Sequence, residues 1–288
     1  MIRTLMAAVV LLVSSPFIYA QDECTRATLI AAADSYIAAQ KAGSLSKMSL
    51  ADKVKYVQNM SETTKEKGIW NTALQIALHR SIYDVARCKT FSEVIVTQGT
   101  QYVIGTRLTV TKDGKITEID SVVTGKDDWL FNADNYLKYS SAEDWSILPV
   151  DNRVTRQDLV DAGHRYFDFV FMDKYIRPPW GTPCARLEGG AYTNPDGNDK
   201  DNCQIPAPLG AMPVQSRTFV VDEEMGVVNV YCRFGSETGM PDVHTIRMVN
   251  GRYRYIHTLS VNLNDKPIDY SGFDTPDSKP KGKPKSKQ

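Results

Sequence analysis

An internal repeat constrains the fold of this chain more than any other feature of its sequence. Residues 25–36 (TRATLIAAADSY) match residues 155–166 (TRQDLVDAGHRY), with Thr, Arg, Leu, Ala and Tyr at equivalent positions. Each copy is followed by two strand-like segments around a tight turn, Asp113-Gly114 in the first copy and Asn250-Gly251 in the second. A repeat of this length indicates a duplicated domain and not a solenoid unit.

The order of the predicted elements within each copy places the chain in the α+β class. Thr25 and Thr155 are predicted helix N-caps, and residues 46–60 and 62–67 are predicted as further short helices. Strands are predicted over residues 82–88, 91–97, 102–111 and 116–124, and over 185–192, 217–222, 227–235, 243–249 and 252–263. Helices packed on a curved antiparallel sheet give tandem cone-shaped domains, each with a mouth that can hold a small ligand.

The predicted boundaries are a signal peptide over residues 1–20, a first domain with its linker over 21–150, a second domain over 151–265 and a disordered Lys/Pro-rich tail over 266–288. Arg3 precedes an apolar run that is too short to span a membrane, and residues 18–20 (IYA) end it with a small residue. We therefore expect a secreted protein, or one in the secretory lumen, without a transmembrane segment.

The charge balance argues against nucleic acid as the main partner. The chain has 34 Lys and Arg against 34 Asp and Glu. Removing Arg3 with the signal leaves 33 − 34 = −1, and the tail from Lys266 onward contributes six Lys and three Asp, or +3. The folded part is therefore near −4, whereas nucleic-acid-binding domains are basic.

Five cysteines in a secreted chain predict two disulfides and one spare thiol. We pair Cys24 with Cys88 and Cys184 with Cys203. The spare residue, Cys232, lies in an apolar strand pattern and is predicted to be a buried thiol, with a nucleophile as the alternative. The only glycosylation sequon begins at Asn59, which predicts a glycan at a surface position.

The second hairpin carries the main catalytic candidates. Counting outward from the Asn250-Gly251 turn places His244 directly opposite His257, with Cβ atoms about 5 Å apart. The predicted shared face is mostly apolar and contains Ile246, Met248, Tyr253, Tyr255 and Leu259. Imidazoles on an apolar wall can act as acid and base near neutral pH. The alternatives are a structural pair, or a metal site that would need a third ligand such as Asp242.

The same count in the first hairpin pairs Arg107 with Asp120, at the positions equivalent to His244 and His257. These two residues are predicted to form a structural ion pair. One copy would then be a scaffold and the other the working site.

Further candidates lie in the segment 180–190 (WGTPCARLEGG). Arg186 and Glu188 share one side of a predicted strand, so they could bind a carboxylate substrate or form an internal salt bridge. Trp180 would be a stacking wall or a core residue. His164 lies on the second repeat helix beside Tyr166, and either completes a His/Tyr/Asp set or faces solvent.

Several motifs are absent from the sequence. It has no Gly-rich phosphate loop, no Gly-x-Ser-x-Gly and no His-Glu-x-x-His. Nucleotide, flavin and serine-hydrolase chemistry therefore lose support, and we expect no cofactor and no metal.

The chain resembles a large group of secreted fungal proteins, most of them uncharacterised. Residues 102–108 (YVIGTRL), 180–190 (WGTPCARLEGG) and 255–258 (YIHT) carry this resemblance, which spans about residues 24–262. More distantly, each half is similar to the ketosteroid-isomerase/SnoaL-like cone fold. That fold occurs in cofactor-free dehydratases, isomerases and polyketide cyclases, and related secreted fungal proteins include proposed dimerising cyclases of maleidride biosynthesis.

The resemblance implies a lyase, isomerase or cyclase that acts on a polyketide-derived small molecule in fungal secondary metabolism. It implies His244 and His257 as acid and base, with Tyr166 or Tyr255 as the hydroxyl donor. Two alternatives stay open at this stage. One is a secreted, non-catalytic protein that binds a small molecule or a host partner, and the other is a carbohydrate-active enzyme that uses Glu188 with a second carboxylate. A homodimer is also left open.

Overall fold

A computed structural model of the chain describes residues 24–203, 205, 213–235 and 238–263. The predicted signal peptide (1–20) and the predicted tail (266–288) lie outside the described residues. Within the described ranges, none of the helices combines the length and the apolar character needed to cross a membrane.

The first copy consists of one long helix and a six-stranded sheet. Helix α1 begins after Thr25, whose hydroxyl accepts from the backbone N–H of Thr28, and ends at Gly43 in the left-handed conformation. The elements are α1 (Arg26–Ala42), β1 (Leu50–Gln58), β2 (Ser61–Glu62), β3 (Leu78–Asp84), β4 (Lys89–Val96), β5 (Tyr102–Val110) and β6 (Ile116–Thr124).

The second copy repeats this arrangement after a linker that contains the short helix α2 (Ala133–Ser140). Thr155 caps its helix with a capping box closed by Asp158. The elements are α3 (Arg156–Phe171), β7 (Ala185–Glu188), β8 (Ala191–Tyr192), β9 (Val214–Asp222), β10 (Val227–Phe234), β11 (Met240–Val249) and β12 (Arg252–Ser260).

The two sheets have the same topology, which fits the predicted duplication and confirms the α+β class. Their strand orders are β2-β1-β6-β5-β4-β3 and β8-β7-β12-β11-β10-β9. The β1–β6 and β7–β12 pairs are parallel and the remaining pairs are antiparallel, so both sheets are mixed. The prediction of antiparallel sheets is therefore wrong at one strand pair in each copy, because β1 and β7 run parallel to the last strand of their own copy.

The helix predicted over residues 46–60 is wrong. Only Leu45–Lys47 forms a helical turn there, and Leu50–Gln58 forms strand β1. The predicted helix over 62–67 is also absent, since β2 ends at Glu62 and no helix is assigned to residues 63–67. Pairing of β1 with β6 supplies backbone hydrogen bonds that outweigh a weak local preference for helix.

The molecule is layered as helix, sheet, sheet, helix. Helix α1 packs on one face of the first sheet, through residues such as Leu29, Tyr36 and Ile104. Helix α3 packs in the same way on the second sheet. The remaining faces of the two sheets pack against each other, through residues such as Phe91 and Val243. Each sheet therefore has one helix-covered face and one face at the contact between the copies.

Reciprocal ion pairs join the two copies. Arg26, the first residue of α1, binds Asp222 at the end of β9 through two hydrogen bonds of 2.9 and 3.0 Å. Arg156, the first residue of α3, binds Asp84 at the end of β3 through bonds of 2.6 and 2.8 Å. Both carboxylates are buried and also accept backbone N–H groups, from Tyr83 and Val221 respectively. The Thr-Arg dipeptide shared by the repeats thus caps each helix and clamps it to the other copy.

Both predicted disulfides are present, Cys24–Cys88 and Cys184–Cys203, and Cys232 is a buried free thiol. Burial raises the pKa of Cys232 well above its ordinary value, so this side chain is a thiol and not a thiolate nucleophile. Asn59 lies half-buried in the turn between β1 and β2, and its glycosylation stays a prediction.

The second hairpin departs from the predicted register after its first two pairs. Val249 pairs with Arg252 and Met248 with Tyr253, as expected from the two-residue turn. Arg254 is then an extra residue on β12, a β-bulge. Beyond it the ladder continues as Arg247–Tyr255, Thr245–His257 and His244–Thr258.

The bulge separates the two histidines. A shift of one residue turns every later side chain to the opposite face of the sheet. His244 therefore faces α3, whereas His257 faces the first sheet. The predicted face-to-face histidine pair is wrong. The predicted shared face is wrong in part, since Ile246, Met248 and Tyr253 do lie on the α3 side. Tyr255 and Leu259 lie on the opposite face.

The first hairpin contains an equivalent bulge but keeps the predicted register. Val110 pairs with Ile116 and Thr109 with Glu118, so Thr117 is the extra residue. The loop of this hairpin has three residues, 112–114, because Thr111 donates to Lys115 across it. The extra loop residue offsets the bulge. Arg107 consequently pairs with Asp120, and their ion pair, at 2.6 Å, confirms the prediction.

We predict that Arg26→Met lowers the free energy of unfolding by about 2 kcal/mol, because Asp222 would keep its buried charge without its ionic partner. This figure is below that for a fully buried pair, since the Arg26 side chain is 20% exposed. Lys55→Met is the matched control. It removes a pair whose lysine side chain is 56% exposed and should cost less than about 0.5 kcal/mol. Urea unfolding measures both variants, and equal losses would contradict the clamp.

Candidate functional site

The face of the second sheet that packs against α3 carries a group of polar side chains. Four strands supply them at alternate positions, so they point to the same side of the sheet. We call this group the α3-side cluster. Its members are Arg186, Glu188, Cys232, Asp242, His244, Thr258 and Ser260 from the sheet, with Tyr166 from α3.

Asp242 and His244 form a buried carboxylate–imidazole pair within this cluster. Nδ1 of His244 lies 2.6 Å from Oδ1 of Asp242. The hydroxyl of Ser260 donates to Oδ2 of Asp242 at 2.5 Å, and the thiol of Cys232 lies 3.5 Å from Oδ1. With three donors around it, the carboxylate is held in one orientation although it is fully buried.

This pair fixes the tautomer of His244. We assign the proton to Nδ1, because a carboxylate accepts hydrogen bonds and does not donate them. In the neutral imidazole Nε2 then carries the lone pair, and no hydrogen-bond partner for Nε2 is found within the described ranges. A carboxylate that orients an imidazole in this way is the arrangement that prepares histidine to act as a general base.

Aromatic side chains surround the His244 ring. Its centroid lies 4.8 Å from that of Phe167, 5.3 Å from Tyr166 and 6.2 Å from Phe234. Trp180 packs edge-on against Tyr166 at 6.1 Å, which makes it a wall of the same region. These rings keep bulk water away from the imidazole, and His244 is 4% exposed.

Arg186 and Glu188 form the internal salt bridge that the sequence left as one of two alternatives. Nη1 of Arg186 donates to Oε1 of Glu188 at 2.8 Å. The hydroxyl of Tyr166 lies beside the Arg186 guanidinium, and burial raises the pKa of this tyrosine. Tyr166 therefore stays protonated and serves as a hydrogen-bond donor.

The first copy shows that the fold does not require this polar cluster. Matching strands by register places Val94, Ile104 and Val123 at the positions of Cys232, Asp242 and Ser260. Tyr56 and Gln58 stand at the positions of Arg186 and Glu188. The first copy closes the same space mainly with apolar side chains. The ionisable groups of the second copy are therefore additions to a scaffold that is stable without them.

His257 belongs to a different network, between the two sheets. Its Nδ1 lies 2.9 Å from Glu93 of β4, and its Nε2 lies 2.6 Å from Glu143 of the linker. Burial alone would lower the pKa of His257, but the charges of Glu143 and Glu93 outweigh burial and raise it to about 9. The ring is therefore an imidazolium at neutral pH, and both of its nitrogens donate.

The groups around His257 complete its hydrogen bonding. Arg80 and the Tyr136 hydroxyl bind Glu93 at 3.1 and 2.8 Å. Burial alone would raise the pKa of Glu93, yet the charge and hydrogen bond of His257 and the charge of Arg80 lower it to about 2. Trp145 Nε1 and the Tyr192 hydroxyl bind Glu143 at 2.8 and 3.1 Å. This network ties the first copy, the linker and the second copy together.

The structure thus brings together five of the seven catalytic and substrate-binding candidates from the sequence, namely His244, Tyr166, Arg186, Glu188 and Trp180. His257 and Tyr255 lie on the opposite face of the sheet. The Tyr255 ring stacks on Trp145 at 5.7 Å, and its hydroxyl lies 3.4 Å from the backbone N of Asp144. His164 contacts Arg217 and Phe219 outside the cluster.

Sequence reasoning missed Ser260 and Thr258, and it considered Asp242 only as a metal ligand. Asp242 and His244 are two residues apart on a strand, which was a usable signal for a pair on one face. Ser260 and Thr258 depend on the bulge for their orientation, and no local sequence pattern predicts this bulge. Among the described residues, no group of three or more His, Cys, Asp and Glu side chains could hold a metal ion.

We predict that the His257 network makes stability depend on alkaline pH. A raised folded-state pKa contributes stability in full below pH 6.5, and this contribution is lost as the pH rises through 9. The free energy of unfolding should therefore fall by about 3 kcal/mol across this range. Glu93 contributes in the opposite sense, because its stabilisation is lost only as the pH falls through about 2.

The check is urea unfolding of wild type and His257→Gln at a series of pH values. The variant should be less stable at pH 6.5 and should lack this alkaline loss, and His79→Gln, at an exposed position, should behave as wild type. Parallel curves for wild type and His257→Gln would show that His257 is not charged in the folded protein.

Comparison with known protein families finds one match in the region of this site. The family model of a domain of unknown function, DUF8021, matches residues 152–260, which run from just before α3 to the end of β12. A comparison with curated proteins finds no match. The matched segment is the second copy, which holds the α3-side cluster, and the resemblance to cone-fold proteins stays a prediction.

Proposed function

We propose that the second copy is a small-molecule site that performs cofactor-independent acid–base chemistry next to a carbonyl group, as a lyase, isomerase or cyclase. The observation that carries this proposal is the Asp242–His244 pair. Aromatic rings surround this pair, and the residues at the two equivalent positions of the first copy are apolar or carry a hydroxyl group. Lyases, isomerases and cyclases of this kind need a base, a hydrogen-bond donor for the developing oxyanion and an apolar surface that excludes water, but no cofactor.

In this mechanism Nε2 of His244 removes a proton from the carbon next to the carbonyl group. Asp242 holds the ring in the reactive tautomer and stabilises the imidazolium that forms. The protonated Tyr166 donates to the carbonyl oxygen as negative charge develops on it, and the Arg186 guanidinium beside it strengthens that donation. His244 then returns the proton to a different atom or to the leaving hydroxyl group.

Other features support parts of the wider proposal. Two disulfides and a glycosylation sequon suit a secreted protein. The helix-covered face of a six-stranded sheet is compatible with a cone-shaped domain. A polyketide-derived substrate and a place in fungal secondary metabolism follow from the resemblance alone. Glycoside hydrolysis is disfavoured, because Glu188 is already held by Arg186.

We predict that the protein accelerates exchange of the α-protons of β-tetralone, a ketone with acidic α-protons and an aromatic body, in deuterium oxide. His244→Gln should reduce this rate at least 100-fold, because it removes the base while keeping a side chain of similar size. His79→Gln is the matched control and should retain the rate. Proton NMR of the ketone measures the exchange, and unchanged thermal melting shows that each variant is folded.

Retained exchange in His244→Gln would exclude His244 as the base. Binding of ketones without any exchange would favour the alternative, a secreted binding protein that uses the same site without turnover.

A further inference from the structure

The first copy contains a continuous chain of hydrogen-bonded hydroxyl groups under its helix. The hydroxyl of Tyr36 lies 2.7 Å from Oγ1 of Thr106, which in turn lies 2.8 Å from Oγ of Ser121. All three residues are fully buried. Thr106 therefore stands at the centre of this chain and satisfies its two neighbours.

The second copy keeps the two ends of this chain and replaces its centre. The repeat matches Tyr36 with Tyr166, and the strand registers match Thr106 with His244 and Ser121 with Thr258. The predicted equivalence of Arg107 with His244 is therefore wrong by one residue, because the loop of the first hairpin has one residue more than that of the second. The His244 ring is turned to Asp242 and does not bridge the two hydroxyls. The chain is therefore open at the position that Thr106 Oγ1 occupies in the first copy.

Thr258 shows the consequence of this opening. Its Oγ1 is buried, and within the described part of the chain it has no hydrogen-bond partner. Thr258 lies directly between His244 on β11 and Glu188 on β7. Buried polar groups are nearly always paired, so an unpaired hydroxyl inside this polar cluster indicates a missing acceptor.

We propose that Thr258 and Tyr166 bind a carbonyl oxygen of the ligand, at the position that Thr106 Oγ1 fills in the first copy, and that the ligand is an uncharged aromatic carbonyl compound. The proposal assigns a ligand class to the site of the proposed function and names Thr258 as a binding residue. It uses the same site but does not require turnover.

The charges of the cluster select against a carboxylate ligand. Both carboxylates of the cluster already use the donors around them, because Asp242 is bound by His244, Ser260 and Cys232. Glu188 is bound by Arg186. A carboxylate would bring a further buried negative charge next to two others without a spare cation. A ketone or lactone oxygen accepts the same hydrogen bonds without this cost. Aromatic walls suit an aromatic body, and they include Phe167, Phe169, Trp180 and Phe234.

The test compares methyl naphthyl ketone with naphthoate, which have the same ring system and differ in charge. Binding is measured by ligand-observed NMR on the full chain. Wild type should bind the ketone at least about tenfold more tightly than the carboxylate. Thr258→Val, which keeps the shape and removes the hydroxyl, should weaken ketone binding about tenfold, as expected for one buried hydrogen bond.

Thermal melting separates a ligand-binding hydroxyl from a structural one. Thr258→Val should not lower Tm, because the hydroxyl has no partner to lose, whereas Ser121→Ala in the first copy should lower Tm by breaking a satisfied bond and leave ketone binding unchanged. The proposal is overturned if Thr258→Val lowers Tm as Ser121→Ala does, or if it leaves ketone binding unaltered. It is also overturned if wild type binds naphthoate and the ketone equally tightly, or binds neither of them.

These outcomes are separable from those of the proposed function. Ketone binding that depends on Thr258, without proton exchange, would retain the carbonyl site and remove the catalytic proposal. Proton exchange that depends on His244 but not on Thr258 would retain the catalytic proposal and remove the carbonyl site.

Discussion

The β-bulge at Arg254 decides how the second copy is built on both sides of its sheet. One inserted residue turns the outer part of β12 over, so His257 points toward the first copy while Thr258 and Ser260 point toward α3. Without the bulge, His257 would lie under α3 and Glu93 and Glu143 would lose their shared cation. The contact between the copies and the candidate site under α3 therefore depend on the same backbone feature.

Two kinds of polar network result, and their chemistry differs. The network between the sheets is closed, since both nitrogens of His257 are bound to carboxylates and its raised pKa keeps it charged. Such a group stabilises the fold and stays protonated at neutral pH, so it cannot act as a base there. The α3-side cluster is open, because Nε2 of His244 and Oγ1 of Thr258 lack partners in the described part of the chain. Only the open network can accept a ligand atom.

The duplication supplies an internal control for this distinction. Each copy has the same strand order, the same helix clamp and a bulge in the equivalent strand, so the fold itself accounts for these shared features. Polar residues found only in the second copy need another explanation. Ile104 at the position of Asp242 shows that a buried carboxylate is not required there, and burying one without a purpose would be unfavourable.

The sequence alone determined the duplication, the α+β class, both disulfides and the ion pair of the first hairpin, because repeats, turns and cysteines are local signals. It also named His244, Tyr166 and Arg186 as candidates, which the structure brings into one cluster, although it paired His244 with the wrong residue. Tertiary structure decided the strand character of Leu50–Gln58, which comes from pairing with β6. It also decided the faces of His244 and His257, since turn residues fix only the pairs nearest the turn and packing against α3 and the first sheet fixes the bulge.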